Sequence, residues 1–255
     1  MPTSRKLTTG WRRLVWISMA CCPLLAAPPS SKVSANALRE SESLVARSIV
    51  RINRQTSYRA GLKQMHVNNF GTGVIIGEQE VNGHREYLIL SNEHVAKNNH
   101  VSGRNTLSIA AGYGVKTPIP LQTLSVDDHR DQALLRTVGC DTSFTVPHYI
   151  IGPPKGDATQ DTAFTEGYGN GRFNMLVGDI LSTRSQDWGL RCYRLDIRVG
   201  AGQSGAPLVV IGVDRRLYLP ALIFCGNDQF TDATPLHSGE GVLRMLGSKF
   251  ETETP

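Results

Sequence analysis

The sequence predicts an all-β protein built from antiparallel strands, and three observations carry that prediction. Short runs rich in β-branched and aromatic residues recur along the chain; clusters of Gly, Pro, Asn and Asp punctuate them; and no helical stretch between them is long enough for the crossovers that parallel strands require. Ser41 to Arg47 reads as a short helix and Ser48 to Asn53 as the first strand. Gly73 to Gly77 and Tyr87 to Leu90, bridged by a polar stretch containing Asn82-Gly83, read as a hairpin. Further strands are expected at Leu107–Ala110, Ile119–Val126, Ala133–Val138, Ala163–Gly167, Met175–Ser182, Tyr193–Val199, Pro207–Val213 and Tyr218–Phe224. Helical spacing returns only near the end, where Val242, Leu243, Leu246 and Phe250 share one side of a short C-terminal helix. Gly152-Pro153-Pro154-Lys155-Gly156 interrupts the strands and suits a linker between two β halves.

A chain of 255 residues can bury a core and use its whole length in one two-part β domain. Its formal charge of +5 resides in the leader. Residues 1–37 hold five of the 27 Lys and Arg residues and no acid, so 22 basic and 22 acidic residues remain beyond them. That balance removes the main argument for a nucleic-acid partner. The leader starts basic and continues through an apolar run from Leu14 to Ala27, shorter than the roughly 20 residues of a spanning helix. It ends in small and polar residues through Ala35-Asn36-Ala37, the pattern of a signal peptide over residues 1–37. The expected destination is secreted or periplasmic, with no stable membrane association after cleavage. Cys140, Cys192 and Cys225 lie beyond the leader, so one disulfide can form in an oxidising compartment, its pairing open. No C-x-x-C spacing marks a zinc site, and no metal or other cofactor is expected.

The chemistry-bearing residues fall into three groups. A serine hydroxyl becomes nucleophilic when an imidazole takes its proton, and the imidazole needs a carboxylate to set its tautomer and stabilise its cation. Gly202-Gln203-Ser204-Gly205-Ala206-Pro207 offers a serine between glycines, where a sharp bend can aim the N–H groups of Gly202 and Ser204 at one point. His94 directly follows the apolar strand Tyr87–Leu90, and Asp131 opens the apolar run Gln132–Leu135. Each has a plain alternative taken singly: a Gly-rich turn, an exposed histidine, a strand cap. Together they stand in the order His, Asp, Ser, which differs from the orders of subtilisins and α/β-hydrolases. The glycine-rich run Gly167-Tyr168-Gly169-Asn170-Gly171 reads as a β-turn, because no helix follows it to bind a phosphate.

The segments Gly71-Thr72-Gly73-Val74-Ile75-Ile76, Leu90 to Ala96, Asp131 to Leu135 and Gly202 to Pro207 resemble the trypsin-like peptidase family from about Ser48 to Leu246. Intervals of 37 and 73 residues within the triad look most like compact bacterial branches, such as the high-temperature-requirement and glutamyl-endopeptidase types. The resemblance implies a peptidase domain over 38–255 with two six-stranded antiparallel barrels, about 48–150 and about 157–238. It places His94, Asp131 and Ser204 in the cleft between them as the catalytic triad, with oxyanion N–H groups from Gly202 and Ser204. The strand ending near Cys225-Gly226 would pair with substrate backbone, and Arg198 would lie at the base of the primary pocket. A buried guanidinium there would select acidic side chains. The competing reading sets Arg194, Asp196 and Arg198 on one solvated strand face as a local ion pair. Gln203 stands where the family often has Asp, which puts activation by a salt bridge to a new N-terminus in doubt. The expected activity is that of a secreted, monomeric serine endopeptidase acting on protein or peptide substrates through an acyl-enzyme. A catalytically idle binding module and an esterase using the same triad are the alternatives.

Overall fold

The computed structural model describes residues 33–81, 84–97, 104–154, 162–187, 190–212, 214–226 and 229–236. Most of the expected signal peptide, the Asn82-Gly83 turn and the expected C-terminal helix lie outside these residues.

Helix α1 (Ala35–Ala46) begins well before the expected Ser41, because Ser34 caps it: its Oγ accepts the N–H of Ala37 at 3.3 Å. The expected cleavage motif Ala35-Asn36-Ala37 forms the first helical turn. Val45 of α1 is fully buried, and Leu38 packs on the same core.

Six strands then close a barrel: β1 (Ile49–Ala60), β2 (Lys63–Val81), β3 (His84–Ser91), β4 (Arg104–Gly112), β5 (Ile119–Asp127) and β6 (Gln132–Thr137). Their order is β1-β2-β3-β6-β5-β4, every pair antiparallel, with β1 bonded to both β2 and β4. Period-two alternation sends Val50, Ile52, Ile75, Ile89, Ile109 and Leu135 into the barrel, where Tyr87 meets the edge of Phe144 at 5.0 Å between centroids. One short helix, α2 (Glu93–Ala96), leaves β3 at the cleft.

The second sheet contains β7 (Tyr149–Ile151), β8 (Thr162–Gly169), β9 (Arg172–Gly178), β10 (Ile180–Asp187), β11 (Leu190–Leu195), β12 (Pro207–Ile211), β13 (Leu217–Gly226) and β14 (Thr231–Pro235). Its order is β10-β11-β14-β13-β12-β8-β9, and β7 joins β13 in parallel. The expected all-β, two-unit architecture is present, with one difference: the second unit is an eight-stranded half-barrel rather than a closed six-stranded one. The predicted strand Met175–Ser182 is broken at Gly178-Asp179, where the Asp196 N–H bonds to the Asp179 carbonyl at 3.0 Å and diverts β10 toward β11. Asn170 and Gly171, both at positive φ, turn β8 into β9, in keeping with the β-turn reading of that glycine-rich run.

Strand β12 joins the two units. It is buried on both faces, so it reads as a continuous apolar run: Leu208 and Val210 enter the second core, while Val209 and Ile211 face the core shared with Ile49, Val74, Leu90 and Leu134. Each such side chain contributes about 1.5–3 kcal/mol by burial. This anchoring places the loop before β12 at the seam between the two units. One polar group is buried in the same region. Glu166 of β8, 1 % exposed, lies on the face that carries Phe164 and Tyr168, and desolvation with the nearby Glu42 of α1 pushes its carboxyl up to about 8.

Candidate active site

His94 sits on the single turn of α2. Ser91 at the end of β3 donates its Oγ to the Thr72 carbonyl at 2.7 Å, and the buried Asn92 donates its Nδ2 to the Asp131 carbonyl at 2.9 Å. A helix this short leaves its terminal carbonyls without intrahelical donors. Arg54 supplies them: its Nη1 donates to the carbonyls of His94, Val95 and Lys97 at 2.5, 3.2 and 2.7 Å. Arg54 is 5 % exposed, and burial lowers its pKa. The His94 side chain, 42 % exposed, faces the cleft.

Asp131 occupies the turn between β5 and β6 with φ of 51°, a left-handed conformation that Asp tolerates better than most residues. Its Oδ2 lies 2.7 Å from His94 Nδ1, and its Oδ1 accepts the His94 backbone N–H at 2.8 Å. These two contacts fix both the ring and the main chain of the histidine. The neighbouring acids are engaged elsewhere, Asp127 with Arg130 at 3.2 Å and Asp128 with Lys97 at 3.8 Å.

Ser204 follows Gly202 and precedes Gly205, at φ of 94° and 84°. Glycine is required at both positions by space as well as by φ. A Cβ on Gly202 would overlap the Phe70 ring, and one on Gly205 would stand 2.1 Å from the Thr72 carbonyl oxygen. The two units therefore meet backbone to backbone at the serine, where the Thr72 N–H donates to the Ser204 carbonyl at 2.8 Å. Ser204 Oγ donates to the Phe224 carbonyl at 3.3 Å, and the Phe224 ring meets the His94 ring edge-on at 5.9 Å. Among the described residues, the N–H groups of Gly202 and Ser204 have no acceptor. Gln203 turns inward, fully buried, against Gly167 and Gly169 of β8.

The structure thus brings His94, Asp131, Ser204 and Gly202 together at one seam. It treats the specificity expectations differently. Strand β11 ends at Leu195, but burial goes on alternating beyond it: Leu195 and Ile197 are buried while Asp196 and Arg198 are exposed and Arg194 is partly buried. Arg194 pairs instead with Asp232 of β14, through contacts at 3.1 and 3.3 Å, and stacks over Phe230. Arg198 is exposed, so its guanidinium is not the buried group that the acidic-pocket reading requires. Gly226 is exposed at the end of β13, facing Val199 and Thr231. Cys140 and Cys192 are buried and Cys225 is partly buried. Strand β14 lies between the strands of Cys192 and Cys225, and through Asp232 it sets Cys225 across from Arg194 rather than from Cys192. Burial pushes the Cys192 thiol up to about 11 and also raises that of Cys140.

Sequence reasoning missed Arg54, Asn92, Thr72 and Phe224. Arg54 carried a usable signal: it falls on the buried phase of β1, in line with Val50 and Ile52, where a charge must find several partners. The others depend on contacts over long chain separations and left no local signal.

No curated protein matches the chain. A family profile does: that of the trypsin-like peptidase domain aligns with residues 71–213, an interval that contains His94, Asp131 and Ser204 and exceeds half the chain. The protein therefore belongs to the trypsin-like peptidase family.

Proposed function

We propose that the protein is an exported serine endopeptidase that cleaves peptide bonds through an acyl-enzyme on Ser204. The observation that carries this reading is the double contact of Asp131 with His94. It holds the proton on Nδ1 and leaves Nε2 as the basic nitrogen. Rotation about the Cα–Cβ bond of Ser204 releases Oγ from the Phe224 carbonyl toward Nε2. His94 takes the hydroxyl proton as Oγ attacks the scissile carbonyl carbon, and the imidazolium is stabilised by Asp131. The developing oxyanion accepts from the N–H groups of Gly202 and Ser204, each such donor being worth about 10²–10³ in turnover. The imidazolium then protonates the leaving amine, and water, deprotonated by His94, releases the acyl group. With Ser204 acylated, the Phe224 carbonyl and the exposed edge at Gly226 can bond an extended substrate backbone. The leader supports export, and the balanced charge beyond it supports protein substrates rather than nucleic acid.

The test is fluorophosphonate labelling of the purified protein beside Ser204→Ala, with casein and a short ester assayed in parallel. Labelling and casein turnover in the parent protein, both abolished by the substitution, are expected. No labelling would leave an idle binding module, and ester turnover without casein turnover would make the protein an esterase.

A further inference from the structure

Three successive peptides determine where the Gly202 and Ser204 N–H groups point, and each is held by its carbonyl. The Ala201 carbonyl accepts the Asn170 N–H at 2.7 Å, and the Gln203 carbonyl accepts the Ala206 N–H at 2.9 Å. Both of these contacts are backbone to backbone. The middle carbonyl, of Gly202, accepts a side-chain hydroxyl instead, Thr72 Oγ1 at 2.8 Å. In a trans peptide the N–H and C=O point in opposite directions, so pinning a carbonyl aims the N–H of the next residue. The Gly202 contact thereby aims the Gln203 N–H at the Gly200 carbonyl, which accepts it at 3.1 Å, and completes the bend that turns the flanking N–H groups outward.

Thr72 is suited to this position. It lies on β2 in the first barrel, fully buried, and its own N–H already holds the Ser204 carbonyl. Its Oγ1 accepts the Tyr168 N–H of β8 at 3.0 Å, so the hydroxyl proton is directed at Gly202 and nowhere else. A single hydroxyl therefore ties the first barrel, the β8 edge of the second sheet and the nucleophile loop together. Gly202 itself, at φ of 94°, has no side chain of its own to resist a peptide rotation.

We propose that Thr72 is a positioning residue for the oxyanion site: its hydroxyl fixes the Gly202–Gln203 peptide, and through it the donor geometry of Gly202 and Ser204. The inference rests on the peptidase reading for its catalytic consequence, while the peptide geometry stands apart from it.

The experiment compares the full chain with Thr72→Val, nearly isosteric but without the hydroxyl, and Thr72→Ser, which keeps it. With a peptide anilide substrate, Thr72→Val is expected to lower kcat by about 10- to 100-fold with KM within about threefold, a loosened donor costing less than a deleted one. A peptide boronate, whose tetrahedral adduct places an oxygen in the same site, should bind more weakly by a similar factor. Thr72→Ser should return kcat to within about threefold of the parent. Unchanged kcat in Thr72→Val, equal losses in both variants, or a loss confined to KM would overturn the proposal. If the parent protein neither labels with fluorophosphonate nor turns over, the peptidase reading is what fails, and amide hydrogen exchange decides the geometry. Protection of the Gln203 and Tyr168 N–H groups should survive in Thr72→Ser and fall at least tenfold in Thr72→Val; equal protection in the two would overturn the inference.

Discussion

Replacing Glu166 by Gln should abolish a specific pH dependence of stability. Glu166 is 1 % exposed, and its Oε2 has no hydrogen-bond partner among the described residues. The groups facing it are Phe164 and Tyr168 on its own strand, Glu42 from α1 and the Tyr149 phenol from β7, with no cation among them. Desolvation first, and the Glu42 charge second, push its carboxyl up to about 8. The ordinary value in an unfolded chain is about 4.3. Between those two values the native state holds a proton that the unfolded state has released, so stability falls as pH rises through the window. At about 1.4 kcal/mol per pH unit, the loss from about pH 5 to about pH 7.5 amounts to about 3 kcal/mol. Gln keeps the shape and cannot ionise. Urea unfolding followed by circular dichroism at the two pH values measures the effect: the parent should lose about 3 kcal/mol more than Glu166→Gln. Parallel pH dependence in the two proteins, or a parent that gains stability over the window, would refute the reasoning.

Four further outcomes are expected. Asp131→Asn should keep the fold by circular dichroism yet lower kcat by about 10⁴-fold, because the amide no longer holds the Nδ1 proton of His94. Gly205→Ala, with its Cβ 2.1 Å from the Thr72 carbonyl, should cost more than about 4 kcal/mol or prevent folding. In calorimetry Gly61→Ala should lose only about 1–2 kcal/mol, since its positive φ is strained but nothing lies within 4 Å. Arg194→Ala should cost about 3 kcal/mol in chemical denaturation, because it strands the Asp232 carboxylate, which is 2 % exposed; a loss under about 1 kcal/mol would show that the pair is dispensable.

The elements legible in the sequence were those whose own composition decides them. Strands β3, β6 and β12 are buried apolar runs, so neighbouring residues alone announce them. Strand β14 was missed because Thr231-Asp232-Ala233-Thr234-Pro235 contains an acid and a proline and lacks an apolar run. It is bonded to β13 on one side and β11 on the other, and Arg194, 38 residues away in the chain, pairs with Asp232 across the sheet. The same distance effect gave Arg194 a partner on another strand, Asp232, while Asp196 and Arg198 remain exposed as the solvated-face reading expects. Alternation identifies which residues share a face but not which strand lies beside them, and β14 brings Asp232 against Arg194.

The sequence by itself determined the chemical identities: a serine between glycines, a histidine after an apolar strand, an aspartate before another, and their order along the chain. Residue type and local backbone preference suffice for these. Tertiary structure alone decided how the groups are held. Arg54 closing the His94 turn, Thr72 pinning the Gly202 carbonyl and the upward shift of the Glu166 carboxyl beside Glu42 of α1 all depend on contacts between segments far apart in the chain. Hydrogen bonds and desolvation act over a few ångströms of space, and the separation of residues along the chain does not reveal which of them will be that close.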